Sequence, residues 1–139
     1  MPSFIFNSAV RDEATGAIDF DTDSFKVMLL TAAAAPNKDT WAKRSDVTNE
    51  VVGAGYTAGG AAVVVAVGAV DTANDRVDIS LGGATWANAT ITARYAVYYK
   101  ARGGAATADE LVAVNDFGAD VASTAAAFAL AASTYRKQN

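Results

Sequence analysis

The sequence predicts an all-β protein, an antiparallel β-sandwich with one short helix within residues 37–50. Apolar runs recur at roughly ten-residue spacing, and the segments between them are rich in glycine, asparagine and aspartate. No long stretch shows the period of an amphipathic helix. For 139 residues we expect one domain over 1–139, with an extended N-terminal segment at 1–15.

The first half of the chain contains a strand, a helical segment and a hairpin. Residues 25–31 form a continuous apolar run after an acidic, turn-rich segment, as is typical of a buried strand. Residues 37–50 are polar and contain residue types that begin short helices. Residues 61–70 and 76–81 flank a loop of Asp, Thr, Ala and Asn, so we expect them to pair as a β-hairpin.

The second half shows the clearest strand signal, an alternation over residues 90–100. It places Tyr95 on a core face and Tyr98 on a wetter face. Residues 110–117 predict a further strand that ends at the Asp-Phe-Gly sequence. The alanine-rich residues 124–133 are ambiguous, because alanine favours helix whereas Phe128 and Leu130, two residues apart, suit a strand.

The composition argues against catalysis. The chain has no cysteine and no histidine, which removes thiolate chemistry, the commonest general base and the commonest metal ligand. We therefore expect no enzyme, no cofactor and no metal. The formal charge of −4 also argues against nucleic acid as a partner, because affinity for a polyanion comes largely from lysine and arginine.

Residues 51–70 are uncharged and long enough to cross a bilayer as a helix. Their many glycines and one short β-branched run are more typical of a turn followed by a buried strand. We therefore expect no membrane association. No basic leader precedes an apolar stretch at the N-terminus, so we expect no signal peptide and synthesis in the cytoplasm.

Two motifs resemble ligand sites but are incomplete. Asp19, Asp21 and Asp23 alternate like the first ligands of a calcium loop, but Ser24 stands where the loop needs glycine, and Leu30 where it needs glutamate. The sequence beginning at Gly53 matches a loose dinucleotide fingerprint without a preceding strand. We interpret the two motifs as an acidic turn and a glycine turn.

Paired carboxylates suffice in principle to cleave a glycosidic bond. The candidate pairs are Asp116 with Asp120 and Asp109 with Glu110. Acidic residues beside turns are more often simply solvated, so we rank a glycan-binding or glycan-cleaving module below a structural role.

A structural role needs side chains that contact a partner, and large aromatic residues often anchor protein interfaces. We expect Trp86 and Tyr95 to pack in the core. The interface candidates are Trp41, Tyr56, Arg94, Tyr98 and Lys100.

Several ordered blocks resemble a family of small virion structural proteins of tailed bacteriophages. They include residues 16–31, the Ser-Asp-Val-Thr-Asn-Glu block at 45–50, residues 55–60, and residues 85–100. The similarity extends over roughly residues 6–118 and is weakest in the alanine-rich end. It implies a component of the virion, without catalytic residues.

The resemblance leads us to expect a capsid decoration or cement protein that binds the head surface. Its partners would be the phage major capsid protein, further copies of itself as a homo-oligomer, or both. The alternative is a tail or tail-tip component, such as an adaptor or receptor-binding protein, with tail proteins as partners.

Overall fold

The computed structural model describes residues 2–139 as two antiparallel sheets with one α-helix. Strands make up 49% of the residues and helices 9%, which confirms the all-β, sandwich-like prediction. The strands are β1 (Phe4–Ile5), β2 (Phe25–Leu30), β3 (Ala61–Val63), β4 (Val65–Val67), β5 (Arg76–Leu81), β6 (Ala84–Lys100), β7 (Leu111–Leu130) and β8 (Ser133–Gln138). The helices are α1 (Asn7–Thr15) and a 3-10 helix at Arg44–Asp46.

The larger sheet has the order β1-β7-β6-β2-β3, and the smaller sheet has the order β4-β5-β8. The chain passes from one sheet to the other at Val64, between β3 and β4. The expected hairpin is confirmed, because β4 pairs with β5 and places Val65 opposite Leu81. The apolar run at residues 61–70, expected as one strand, is divided between the two sheets: β3 belongs to the larger sheet and β4 to the smaller one.

The two sheets are also connected by two long antiparallel strands. β5 leads into β6 through Gly82–Gly83, and β7 leads into β8 through residues 131–132, so that the paired strands turn together from one sheet into the other. A Cβ on Gly83 would lie 2.3 Å from the carbonyl oxygen of Leu130, and one on Gly82 would lie 2.5 Å from that of Val64. Only glycine allows the backbones to approach this closely.

The buried hydrophobic residues of both sheets form one cluster. Residues 27–30 of β2 are all buried, and consecutive strand residues point to opposite faces, so both faces of β2 are covered. This explains why the sequence there is a continuous apolar run. The largest fully buried side chains are Tyr98, Phe6, Met28, Leu29, Leu30, Leu81, Leu111, Val27, Val97, Val112 and Val114.

The N-terminus differs from the expected extended segment at 1–15, because residues 7–15 form α1. The helix ends at Gly16, whose φ of 82° is left-handed and whose N–H bonds to Glu13 O. Ala9 is fully buried and Phe6 stacks on Trp41. These contacts lie far apart in sequence, so the local pattern did not reveal them.

The short helix expected within 37–50 is present as the 3-10 helix. Asp46 accepts hydrogen bonds from the N–H groups of Ala42 and Lys43, both at 2.9 Å. The aspartate thereby stabilises the chain that leads into this turn.

The strand predicted at 110–117 does not end at Asp-Phe-Gly. Asp116 lies opposite Tyr95 and Val121 lies opposite Ala93, so extra residues bulge out between them. Gly118 provides a φ of 80° there, and β7 then continues to Leu130. The ambiguous alanine-rich segment is therefore mostly strand.

Candidate functional site: an uncharged ribbon with an open edge

Two uncharged runs of the sequence pair with each other. Residues 79–93 and 121–135 contain no charged side chain, and we call their paired strands the neutral ribbon. Ile79 lies opposite Tyr135 at one end, and Ala93 lies opposite Val121 at the other. The ribbon joins both sheets.

Ion pairs close both ends of the neutral ribbon. Arg136 Nε lies 2.7 Å from Asp78 Oδ1, and Arg94 Nε lies 2.6 Å from Asp116 Oδ1. The pKa of Asp116 is held below its ordinary value, first by the hydrogen bond from Arg94 and then by the N–H of Gly118. The side chains of residues 79–93 and 121–135 themselves carry no formal charge.

One face of the ribbon packs on the core. Trp86 lies opposite Phe128, both side chains are buried, and their rings meet edge to face at 6.1 Å. The burial of Trp86 agrees with the prediction. The other face is exposed and consists of small side chains, because Thr85 lies opposite Ala129 and Thr92 lies opposite Ala122.

The ribbon is irregular near its middle. Asn88 and Ala125 have left-handed backbone, with φ of 51° and 45°. The hydroxyl of Thr90 accepts a hydrogen bond from the N–H of Ala125 at 2.9 Å, and Ser123 donates to Ala89 O at 2.8 Å. These bulges bend the ribbon, and the two hydroxyl groups stabilise backbone groups that the bulges leave unpaired.

The glycine motif at residues 53–55 supports the ribbon. Ala54 forms a bridge with Thr90, and a Cβ on Gly53 would lie 2.4 Å from the carbonyl oxygen of Thr90. Gly55 has a φ of 81°. Gly53 therefore allows close backbone packing, and Gly55 allows a turn. Val52, which precedes Gly53, is 95% exposed.

An open groove of about 410 Å³ lies beside the β7 edge of the ribbon. Its apolar lining includes Phe117, Val121, Phe128 and Leu130. Val121 is 44% exposed, whereas Phe128 is buried at the base. The edge thus offers apolar contact area beside its backbone.

Of the five predicted interface residues, the structure removes Tyr98 from the surface. The residue is 1% exposed, its hydroxyl has no hydrogen-bond partner among residues 2–139, and burial raises its pKa to about 12. The prediction that Tyr98 lies on a wet face is wrong because both faces of β6 are covered at residues 96–99. Tyr95, predicted in the core, is half-buried under the Arg94 guanidinium.

Tyr56 and Lys100 bind inside their own chain. The Tyr56 hydroxyl donates to Glu50 Oε1 at 2.8 Å and accepts from the N–H of Leu29 at 3.0 Å. Burial, followed by the hydrogen bond with Glu50, raises the pKa of Tyr56. Lys100 Nζ lies 2.7 Å from Asp23 Oδ2 and donates to Ala17 O. Both side chains hold loops onto the sheet.

Trp41 and Arg94 remain partly accessible. Trp41 is half-buried and stacks on Phe6 with ring centroids 6.5 Å apart. Arg94 lies at the end of the neutral ribbon, paired with Asp116. Their roles as interface residues stay predictions.

The carboxylates considered for catalysis are mostly neutralised by cations. Asp109 is 2% exposed and lies 2.7 Å from Arg44 Nε, whereas Glu110 is 3% exposed and lies 2.6 Å from Arg102 Nη2. Burial acts to raise the pKa of Glu110, but the hydrogen bond from Arg102 and the nearby cations bring it below its ordinary value. A group with a lowered pKa is a poor proton donor at neutral pH.

The acidic turn at residues 19–23 is organised by its own backbone. The N–H of Asp19 donates to Asp23 Oδ2 at 2.8 Å, and the N–H of Asp21 donates to Asp19 Oδ1 at 2.9 Å. Within residues 2–139, no group of three or more acidic side chains could hold a metal ion. In the same range, no helix is long and apolar enough to span a membrane.

The sequence reasoning missed the exposed face of the ribbon. Thr85, Thr92, Ala122 and Ala129 are small and individually unremarkable. The available signal was the absence of charge over two long runs, and only the strand pairing shows that these runs are neighbours.

The fold and this surface define an all-β protein whose most distinctive external feature is the neutral ribbon. Comparisons of the chain with protein-family models, curated proteins and solved structures returned no match.

Proposed function

We propose that this chain is a structural protein of a tailed-bacteriophage virion, a capsid decoration protein that binds the head surface through protein–protein contacts. The neutral ribbon is the observation that carries the proposal. The resemblance of several sequence blocks to small virion structural proteins of tailed bacteriophages supports the proposal that the particle is a phage virion.

The ribbon has the physical properties of a protein-binding face. Burying threonine and alanine removes little rotamer freedom, so association costs little side-chain entropy. The absence of charge means that no ion must be desolvated there. A net charge of −4 disfavours the packaged DNA as the direct partner and favours a protein surface.

A decoration protein does not need a strong contact at each copy. Contacts that are individually modest add up when many copies bind one lattice or when one copy bridges two sites. The exposed small-residue face and the adjoining groove supply such a modest contact area.

Copy number tests the proposal. Purified virions analysed by quantitative mass spectrometry against the major capsid protein should contain this chain at on the order of hundreds of copies. About three, six or twelve copies would place it in the tail, and absence from the virion would overturn the virion assignment.

A charge placed on the ribbon tests the binding face. Thr92→Lys should weaken binding to virions depleted of this protein by about tenfold or more, because the lysine must lose water at the contact. Thr72→Lys, on the exposed loop between β4 and β5, is the matched control and should bind normally. Equal binding by both variants, each folded, would exclude the exposed face of the ribbon.

A further inference from the structure

A pocket with a positively charged lining lies on the larger sheet, away from the neutral ribbon. It is open, has a volume of about 400 Å³, and lies beside β2, β6, the 3-10 helix and the loop that follows β6. Its charged lining residues are Lys26, Arg44 and Asp109, and most of the others are alanine or glycine. No lining residue belongs to the ribbon, so the pocket is separate from the face proposed for particle binding.

The guanidinium of Arg44 is held in one orientation. Its Nε donates to Asp109 Oδ2 at 2.7 Å, and its Cζ lies 5.5 Å from the ring centroid of Tyr99, another lining residue. Asp109 is itself fixed, because it is 2% exposed and its Oδ1 accepts the N–H of Arg102 at 2.9 Å. A buried carboxylate thus positions the cation in advance, so that binding a ligand costs little side-chain freedom.

Arg44 keeps hydrogen-bonding capacity for a ligand. A guanidinium has five N–H groups and no acceptor atom. Within residues 2–139, one of these groups bonds to Asp109 and another makes a long contact of 3.5 Å with Gly104 O. The remaining N–H groups have no partner in that range, and only a ligand that carries acceptor atoms can use them.

Lys26 adds a positive charge that nothing offsets. It lies opposite Tyr99 on the neighbouring strand, and residues directly opposite each other project to the same face of a sheet. Lys26 is exposed and makes no ion pair among residues 2–139. Because Asp109 offsets Arg44, the lining keeps an excess of positive charge in a chain whose net charge is −4.

We propose that this pocket binds an oxyanion, a carboxylate or a phosphate, between the ammonium group of Lys26 and the guanidinium of Arg44. The fork of a guanidinium matches two oxygens of either group, and an ammonium pairs with them as a point charge. Small lining side chains offer little apolar area to an uncharged ligand, and the excess positive charge repels a metal ion. The site goes beyond the proposed function and does not depend on it.

Titration with two small oxyanions tests the site. Inorganic phosphate and sodium acetate are added separately to isotope-labelled protein at constant ionic strength, with sodium chloride as the reference, and chemical shifts are followed by NMR. At least one oxyanion should shift the Nε–H of Arg44 and the backbone N–H of Gly104 saturably, with a Kd on the order of 1 mM. No saturable shift with either oxyanion, or the same shift with chloride, would overturn the proposal.

The same titrations distinguish the two ligands. Tighter binding of phosphate supports the site and assigns it to a phosphate group. Tighter or equal binding of acetate supports the site and assigns it to a carboxylate, because acetate carries the smaller charge.

Removing the unpaired cation tests the role of Lys26. Lys26→Ala should weaken binding of the preferred oxyanion by about tenfold, because one of the two cations is lost. Lys38→Ala is the matched control, since Lys38 is also exposed and unpaired within residues 2–139 but does not line the pocket. It should bind as the wild type does. Binding by Lys26→Ala as tight as that of the wild type would contradict the proposed site.

A conservative variant tests the fork of Arg44. Arg44→Ala is unsuitable, because it leaves the buried Asp109 carboxylate without its cation. Arg44→Lys keeps a charge beside Asp109 and should bind the oxyanion about fivefold more weakly, with unchanged circular dichroism. If folded Arg44→Lys binds as tightly as the wild type, the guanidinium is not the group that holds the ligand and the proposal is wrong.

Discussion

At the scale of single residues, Tyr98 shows how a buried polar atom affects stability. Within the described part of the chain its hydroxyl has no hydrogen-bond partner, whereas the hydroxyl of Tyr56 donates to Glu50 and accepts from the N–H of Leu29. An unsatisfied buried hydroxyl destabilises the folded state, and a satisfied one stabilises it modestly.

Tyr98→Phe should therefore raise the free energy of unfolding by about 1 kcal/mol, measured by urea denaturation. Tyr56→Phe is the matched control and should lower it by roughly 1–3 kcal/mol, because Glu50 and Leu29 lose a partner. A loss of stability in Tyr98→Phe would show that its hydroxyl makes a favourable contact.

Glu110 makes the free energy of unfolding depend on pH in the acid range. Its folded-state pKa lies below the ordinary value of 4.5, so its contribution is fully present above that pH. The contribution is lost as the pH falls through the lower folded-state pKa, because the unfolded chain then binds a proton that the folded chain excludes.

We expect the free energy of unfolding to fall as the pH is lowered from about 6 to about 3. Glu110→Gln should be less stable at neutral pH but should lose less over this interval, because its amide does not titrate. Equal losses in the two proteins would show that Glu110 does not contribute to the acid response. Asp12, whose pKa is raised by burial, acts in the opposite direction.

Among the secondary-structure elements, the corner at Gly82–Gly83, between β5 and β6, is where the paired strands turn from one sheet into the other. Gly83 lies where a Cβ would be 2.3 Å from Leu130 O and 3.2 Å from the backbone nitrogen of Ala132. Both contacts are with backbone, which cannot move aside as a flexible side chain can.

Gly83→Ala should therefore lower the free energy of unfolding by about 1–3 kcal/mol, read from the midpoint of denaturation. Gly104→Ala is the matched control, since nothing lies within 4 Å of its Cβ position, and it should be neutral within about 0.5 kcal/mol. Similar values for the two variants would mean that the corner relaxes without cost.

At the scale of the whole molecule, both sheets contribute to one buried cluster. Leu81 of the smaller sheet is fully buried in the same cluster as Val97 of the larger sheet. A shared core couples the unfolding of the two sheets.

Leu81→Ala should lower the free energy of unfolding by about 2–5 kcal/mol. The denaturation curves from tryptophan fluorescence and from far-ultraviolet circular dichroism should remain coincident in this variant and in the wild type. Separate transitions would show that the sheets unfold independently and would contradict the single-domain prediction.

Much of the fold was predictable because its signals are local. The apolar run at 25–31 became β2, the alternation at 90–100 became part of β6, and the Asx-rich loop at 71–75 joins β4 to β5. The helix α1 was not predicted, because residues 1–15 show no clear helical period and the contacts that hold this segment are with residues distant in sequence.

The all-β class and the two uncharged runs could be read directly from the order of the residues. The pairing of residues 79–93 with 121–135 and the burial of Tyr98 became visible only in the folded chain. Side-chain type and alternation are local properties. Strand partners and burial on a second face depend on residues far away in the chain.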